Sequence, residues 1–265
     1  MLVPALHGEG LLVLWGNIDT TTVNEDALNE WWTNEHLPER LRLPGFIRAR
    51  RYCGPLRNDR SRAYFACYEV SKLEHLRSES YMESLNSPTP NTEQFMPALA
   101  KMNRSACSII CSTSRMYHPR FARGLSGNWM ASIVFIIPHS EPESEQVLNT
   151  RISDAFLPRA ITLPGVSSFN LAREDDLTTQ IGSTSKSYAG VQFEEGDKSA
   201  RRDNKRYTAL IEFSVPVMPG DSKPSIVQNT VESFIEQIMT LGATGVTWDA
   251  YQLLCSMGPN VINDP

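Results

Sequence analysis

The sequence predicts an α+β fold in which two βαββαβ units stand in tandem on one chain and form a pseudo-dimeric α+β barrel around a small-molecule pocket. Three observations predict it: a motif that recurs after 120 residues, the same succession of elements on either side of a Gly- and Pro-containing connector, and a length of 265 residues, enough for two small units.

The repeat is the strongest of the three. Residues 36–46 read HLPERLRLPGF and residues 156–166 read FLPRAITLPGV, an offset of 156 − 36 = 120. Leu37, Pro38, Leu43, Pro44 and Gly45 recur as Leu157, Pro158, Leu163, Pro164 and Gly165, and at the same offset the run LLVLW at 11–15 falls on ASIVF at 131–135.

Each half then resolves into the same elements. A strand at about 10–17 precedes a helix beginning near Asn24, whose side chain can cap it, with Glu25 and Asp26 matching the positive end of the helix dipole. Pro38 and Pro44 bound the helix exit. Strands at about 45–54 and 62–70, a helical region from 72 to about 101 and a strand at 104–114 complete the unit, and the second half repeats the order at about 129–137, 142–162, 165–173, 206–215, 225–241 and 245–255. The domains are therefore expected at 1–118 and 128–265, joined through Arg115–Asn128, with an irregular insertion at 174–205 that reads as a lid or a disordered loop. One face of each sheet is covered by helices, and burying the other against a second sheet drives the units together.

Composition excludes several classes. A net charge of −5 supplies no concentrated basic face for nucleic acid or an anionic membrane, and the run Arg201, Arg202, Lys205, Arg206 reads as a solvated loop. The apolar stretch Leu11–Trp15 is too short to span a bilayer, and no basic segment precedes it as in a signal peptide, so a cytoplasmic location is expected. Cys53, Cys67, Cys107, Cys111 and Cys255 lack CxxC spacing and read as reduced thiols in apolar runs. His7, His36, His75, His118 and His139 show no metal-ligand spacing, and no GxGxxG, P-loop or GxSxG signature is present, so neither metal nor cofactor is expected.

The string NEWWTNEHLPERLRLPGFIRARRY, residues 29–52, resembles the helix-to-strand signature of the dimeric α+β barrel superfamily, particularly its EthD-like members, in which an aromatic residue, a histidine, a proline two residues on and PGF lead into the second strand. The resemblance covers these residues closely and the rest of the chain only in architecture. It implies ferredoxin-like units paired into a barrel and chemistry that often needs no cofactor, on hydrophobic, frequently polyketide-like substrates. It leaves the reaction open among decarboxylation, dehydration, cyclisation, isomerisation and oxygenation.

The residues that carry such chemistry follow from helix and strand periodicity. His36 lies one helical turn beyond Trp32, on a face shared with Leu28, where an imidazole acts as proton donor or acceptor near neutral pH or is held by a backbone carbonyl as a core residue. The helix C-terminus favours its cation and burial opposes it. Its repeat counterpart is Phe156, so the shape-defining prolines recur but the titratable group does not, as expected for one working pocket and one filled one; Asp154 is a candidate helper. Strand alternation places Phe46, Arg48, Arg50 and Tyr52 toward the barrel interior and Ile47, Ala49, Arg51 and Cys53 under the helices. Arg48 and Arg50 either hold an anionic or enol-bearing ligand or pair with acids at the rim. Tyr64 and Tyr68 share a face, as do Thr247, Asp249 and Tyr251, and Asp249 is a carboxyl in an apolar strand that either serves as an acid or base or is salt-bridged.

The expected function is a cofactor-independent lyase or isomerase acting by proton transfer on a small hydrophobic, polyketide-like or polyphenolic substrate of secondary metabolism. His36, Tyr52 and Asp249 form the candidate catalytic set, and Trp32, Arg48, Arg50, Tyr68 and Tyr251 the substrate-binding set. A cofactor-free monooxygenase and a non-catalytic binding protein are the alternatives, and the molecule is expected to be a monomer with an internal pseudo-dimer or a homodimer.

Overall fold

The computed structural model describes residues 4–115, 127–138, 145–160, 162–193, 204–215 and 223–259. Two compact units emerge, each with a four-stranded antiparallel sheet and helices on one face.

In the N-terminal unit the strands are β1 (Gly10–Asp19), β2 (Phe46–Leu56), β3 (Ser61–Val70) and β4 (Ala100–Ser114), in the sheet order β4-β1-β3-β2. Between β1 and β2 run α1 (Glu25–Trp31), a π-helical turn (Trp32–His36) and α2 (Leu37–Leu41). Asn24 caps α1 by accepting from the Ala27 N–H at 3.1 Å, as its sequence position anticipates. Between β3 and β4 lie α3 (Glu79–Asn86) and α4 (Pro90–Phe95), capped by Ser78 and Thr89. This order of elements and strands is the ferredoxin-like one.

Pro38 does not end the helix. It has no N–H to donate and its ring would clash with the carbonyl four residues back, and the chain accommodates it by widening the preceding turn, so that the Leu37 N–H bonds to the Trp32 carbonyl five residues back. The helix then continues to Leu41.

The C-terminal unit repeats the plan with β5 (Trp129–Pro138), α5 (Glu145–Ala160), β6 (Val166–Glu174), β7 (Asn204–Phe213), α7 (Ser225–Thr240) and β8 (Thr244–Met257), in the order β8-β5-β7-β6. Lys205 and Arg206 open β7 rather than a loop, with Arg206 3.4 Å from Glu174, while Arg201 and Arg202 lie outside the described residues. The segment expected to be an irregular insertion contains α6 (Asp176–Ser183), capped by Asp175, and a 3₁₀ turn at Lys186–Tyr188. Residues 175–193 belong to the N-terminal unit, as do the last residues of β8 from Leu254, whereas β4 from Ile109 onward and residues 4–6 belong to the C-terminal unit. The partition therefore differs from a simple division at the connector.

The two units match in fine detail. Gly45 and Gly165 both take positive φ, 83° and 76°, and the carbonyl of each accepts a 2.8 Å bond from the residue after the third strand of its unit, Ser71 or Ser214. A bulge follows each glycine, at Phe46/Arg48 and Val166/Ser168. Buried Glu69 accepts from the His7 N–H at 2.7 Å, and buried Glu212 from the Gly127 N–H at 2.8 Å.

The interval is not uniform, however. The bulges in β1 and β5 fall at Trp15/Asn17 and Val134/Ile136, an offset of 134 − 15 = 119, so Leu11 corresponds to Met130 and not to Ala131. The difference matters, because a shift of one residue exchanges the two faces of a strand.

The faces toward the helices form the two cores. In the C-terminal unit this core is built mainly on Phe135, Ile152, Phe169, Leu171, Ile211, Val231 and Phe234, with Tyr207 donating to Asn149 at its edge. Its N-terminal counterpart mixes Leu12, Leu14, Leu28 and Leu37 with Trp31, Trp32, Tyr64, Tyr68, Tyr81 and Tyr188. Among the described residues no helix is long and apolar enough to cross a membrane.

Candidate functional site

The polar groups buried in the N-terminal core define the candidate site. His36 ends the π turn, 7% exposed, and the widened turn brings it against Trp31, five residues back, with ring centroids 5.0 Å apart. A regular helix would have made Trp32 its neighbour. Its Nδ1 lies 3.8 Å from Glu39 Oε2, beyond hydrogen-bond reach. Burial, then the Arg40 and Arg51 guanidiniums, hold its pKa well below 6.5, so the imidazole is neutral at pH 7.

Arg51 extends from β2 under the helix and is fully buried. Its Nη1 donates to the Asn29 carbonyl at 3.2 Å and to Thr33 Oγ1 at 2.6 Å, and its Nη2 to Asn29 Oδ1 at 2.5 Å. Its Cζ sits 4.6 Å from the Trp32 ring centroid and 5.5 Å from that of Tyr64, geometries in which an aromatic face attracts a cation. Burial lowers its pKa despite these partners.

Tyr64 donates to Glu25 at 2.5 Å, and Glu25 also pairs with Arg62 at 3.1 Å. Burial, more than any other cause, raises the phenol pKa of both Tyr64 and Tyr68. Arg40, from α2, donates to Ser84 at 2.9 Å and to Glu39 at 3.2 Å and lies over the Tyr81 ring.

A groove of about 460 Å³ opens between α1 and α4, lined by Ala27, Trp31, Phe95, Asn34, Glu35 and Gln94 among others. Trp31 stacks on Phe95 at 5.4 Å and is shared between the groove and His36. The volume falls within the range of small-ligand sites, while the lining, with Glu30, Asn34, Glu35, Asn91 and Gln94, is mostly polar.

The sequence-derived candidates separate into three places. His36, Trp32 and Tyr68 lie in the core described above. Arg48, Arg50 and Tyr52 lie on the opposite face of the same sheet, because they alternate with Ala49 and Arg51. There Arg48 Nε meets Glu69 Oε1 at 2.7 Å and Arg50 Nη2 meets it at 3.1 Å, and Tyr52 packs edge-on against Phe65. Phe46, expected beside them, sits in the helix-side core, since the bulge between Phe46 and Arg48 reverses its direction. Asp249 and Tyr251 belong to the C-terminal unit, in register with Ser132 and Met130. Asp249 is bonded to Lys223, and its carboxylate also accepts from the Ala250 N–H. Asp154 is exposed, and the Phe156 side chain lies outside the described residues.

Sequence reasoning missed Arg40, Arg104, Tyr81 and Tyr188, and gave no role to Arg51. For Arg51 and Arg104 a signal existed: each is a charge at an alternate position whose neighbours on the same face are small or apolar.

The fold and site together define a ferredoxin-like α+β protein whose N-terminal core holds buried histidine and arginine side chains. No family model matches the chain, and no curated protein matches it. Among solved structures it is similar to an "anthrone oxidase-like protein", at 7% identity and TM-score 0.54, over 98% of this chain and 97% of that one. At that identity the likeness extends to the fold. Two proposed monooxygenases, from Fusobacterium nucleatum subsp. nucleatum and Lactobacillus acidophilus NCFM, align at 9% and 8% identity with TM-scores of 0.48 and 0.46, over 96% and 94% of this chain and 96% of each of theirs.

Proposed function

We propose that this protein is a cofactor-independent enzyme that removes a proton from a small, enolisable aromatic substrate at the helix-side core of its N-terminal unit. The observation that carries the proposal is His36: a neutral imidazole at pH 7, in a widened helical turn, with two guanidiniums raising the cost of its own protonation. A base in this setting keeps its lone pair, and the same cations stabilise the enolate left behind when a C–H proton moves to nitrogen. Trp32 and Tyr68 supply aromatic walls. The Glu69 and Lys223 pairings give Arg48, Arg50 and Asp249 structural work instead.

Lyase or isomerase chemistry completes the reaction by returning the proton elsewhere on the substrate or expelling a leaving group. A second reading is a cofactor-free oxygenase in which the same carbanion reacts with dioxygen, and the name of the similar anthrone oxidase-like structure favours it. EthD-like membership, origin by tandem duplication, closure of the two sheets into one barrel and a cytoplasmic monomer or dimer belong to the same proposal, supported by the 29–52 string and the repeat.

Anthrone, a carbon acid with an acidic methylene, separates the steps. Under anaerobic conditions in deuterated buffer the protein is expected to accelerate exchange of the methylene protons, read by NMR, and His36→Ala to slow it by about 10²- to 10⁴-fold with little change in thermal midpoint. The acidic limb of the exchange rate should lie below pH 6.5. Full activity with a lowered midpoint in His36→Ala would make the histidine a core residue, and turnover seen only with oxygen would favour the oxygenase.

A further inference from the structure

Arg104 has no part in the chemistry above, yet it is a guanidinium enclosed in the N-terminal unit with no acid beside it. It projects from β4 into the helix-side core, 4% exposed. Its Nη1 donates to the Thr179 carbonyl at 2.9 Å, its Nη2 reaches the Tyr81 hydroxyl at 3.3 Å, and its Cζ lies 5.7 Å from the Tyr188 ring centroid. Its Nε is buried with no partner, and no carboxylate among the described residues lies within ion-pair reach of it. Arg40 approaches the Tyr81 ring at 6.0 Å, so two guanidiniums converge on one phenol, and Arg40 Nε is also buried without a partner.

The segment from Asp175 to Phe193 holds this cluster in place. The Asp175 N–H bonds to the Ala106 carbonyl, the Ala106 N–H to Thr179 Oγ1, and Ser187 Oγ to the Leu85 carbonyl. In α6, Gly182 faces the guanidinium so closely that a Cβ there would lie 2.1 Å from Arg104 Nη2. Glycine is unfavourable inside a helix, and its presence here keeps open the space that Arg104 occupies.

A buried cation whose partners are a carbonyl, a hydroxyl and an aromatic face has no counter-charge beside it, and an anion would supply one. We propose that Arg104, with Arg40 and the hydroxyls of Tyr81 and Tyr188, forms a binding subsite for the carboxylate of an aromatic acid. A planar carboxylate matches the guanidinium fork, and the surrounding Tyr68, Tyr81, Tyr188 and Phe193 suit an aromatic body. The inference rests on the proposed function for its aromatic substrate and adds that this substrate, or its product, is an acid.

Benzoate and its neutral isostere benzamide are the probes, titrated calorimetrically against the full chain. Benzoate is expected to bind about tenfold or more tightly than benzamide, the advantage of one charge-assisted contact. Arg104→Gln should abolish that preference, and Gly182→Ala should weaken it by displacing the guanidinium without removing its charge. Equal binding of the two probes to the native protein, or an unaltered preference in either Arg104→Gln or Gly182→Ala, overturns the subsite; should Arg104→Gln fail to fold, Gly182→Ala and the native comparison decide. Displacement of benzoate by inorganic phosphate at equal concentration would also overturn it, in favour of tetrahedral anions. Anthrone exchange that depends on His36 without any benzoate preference sinks this inference alone, and benzoate preference without exchange sinks the proposed function alone.

Discussion

Removing the carboxylate of Glu69 tests how the face of the N-terminal sheet opposite the helices is held together. Its side chain is 1% exposed, with Arg48 Nε at 2.7 Å, Arg50 Nη2 at 3.1 Å and the His7 N–H at 2.7 Å. Arg48 and Arg50 are themselves 5% and 1% exposed, so the group as a whole is buried. A charge-assisted hydrogen bond contributes about 1.5 to 3 kcal/mol, but the larger effect of Glu69→Ala is the loss of a buried carboxylate that both guanidiniums share. Breaking such a buried pair costs about 3 to 5 kcal/mol, which for a chain of this size is roughly 6 to 20 °C in Tm. Denaturant titration followed by tryptophan fluorescence measures the loss, and Glu69→Gln, which keeps the shape, should lie between native and Ala. The triple variant Glu69→Leu, Arg48→Met, Arg50→Met removes all three charges together and should recover most of the loss. If the triple variant is as unstable as Glu69→Ala, or if Glu69→Ala loses less than about 1 kcal/mol, the electrostatic account of this face is wrong.

The depressed pKa of His36 makes folding pH-dependent. Above pH 6.5 the group is neutral in both states and its contribution is fully present; below it the unfolded chain takes up a proton that the folded one refuses. Stability should then fall by about 1.4 kcal/mol per pH unit until the folded pKa is reached, and equilibrium unfolding between pH 7 and 5 should show this slope in the native protein and lose it in His36→Phe. Gly45→Ala and Gly165→Ala both force an L side chain into positive φ, for about 1 to 2 kcal/mol each. Gly45→Ala should cost more by denaturant midpoint, since its Cβ would fall 2.2 Å from the His75 ring while that of Gly165 meets only the flexible ends of Val215 and Ile226.

The element order of both units was legible because the LPG turns and the apolar strands obey local rules. Gly45 and Gly165 require positive φ, and Asn24 caps the helix it precedes. Three features were not legible, each for a non-local reason. The 119-residue offset between β1 and β5 depends on pairing with β3 and β7, since LLVLW and ASIVF are apolar enough to fit in either phase. The bulge after Phe46 puts that ring on the helix side, which simple alternation cannot anticipate. The polar composition of 175–193 hid α6, because its stability comes from the Asp175 cap and from packing on Arg104 rather than from an apolar stripe. For the candidate site, His36 stood out by its motif, but Arg40, Arg104, Tyr81 and Tyr188 come from separate elements that only the tertiary fold assembles.

The bond from the Ala106 N–H to Thr179 Oγ1 spans 73 residues of chain. During synthesis at about 5 to 20 residues per second, β4 leaves the ribosome several seconds before the segment that covers its helix-side face. Throughout that interval the nascent N-terminal half carries Arg104 and its tyrosines uncovered, and translation must pass well into the second half before the first can be finished. A fragment ending at the connector would be held permanently in that state, and the halves of this chain, alike in plan, are unequal in the order in which they can fold.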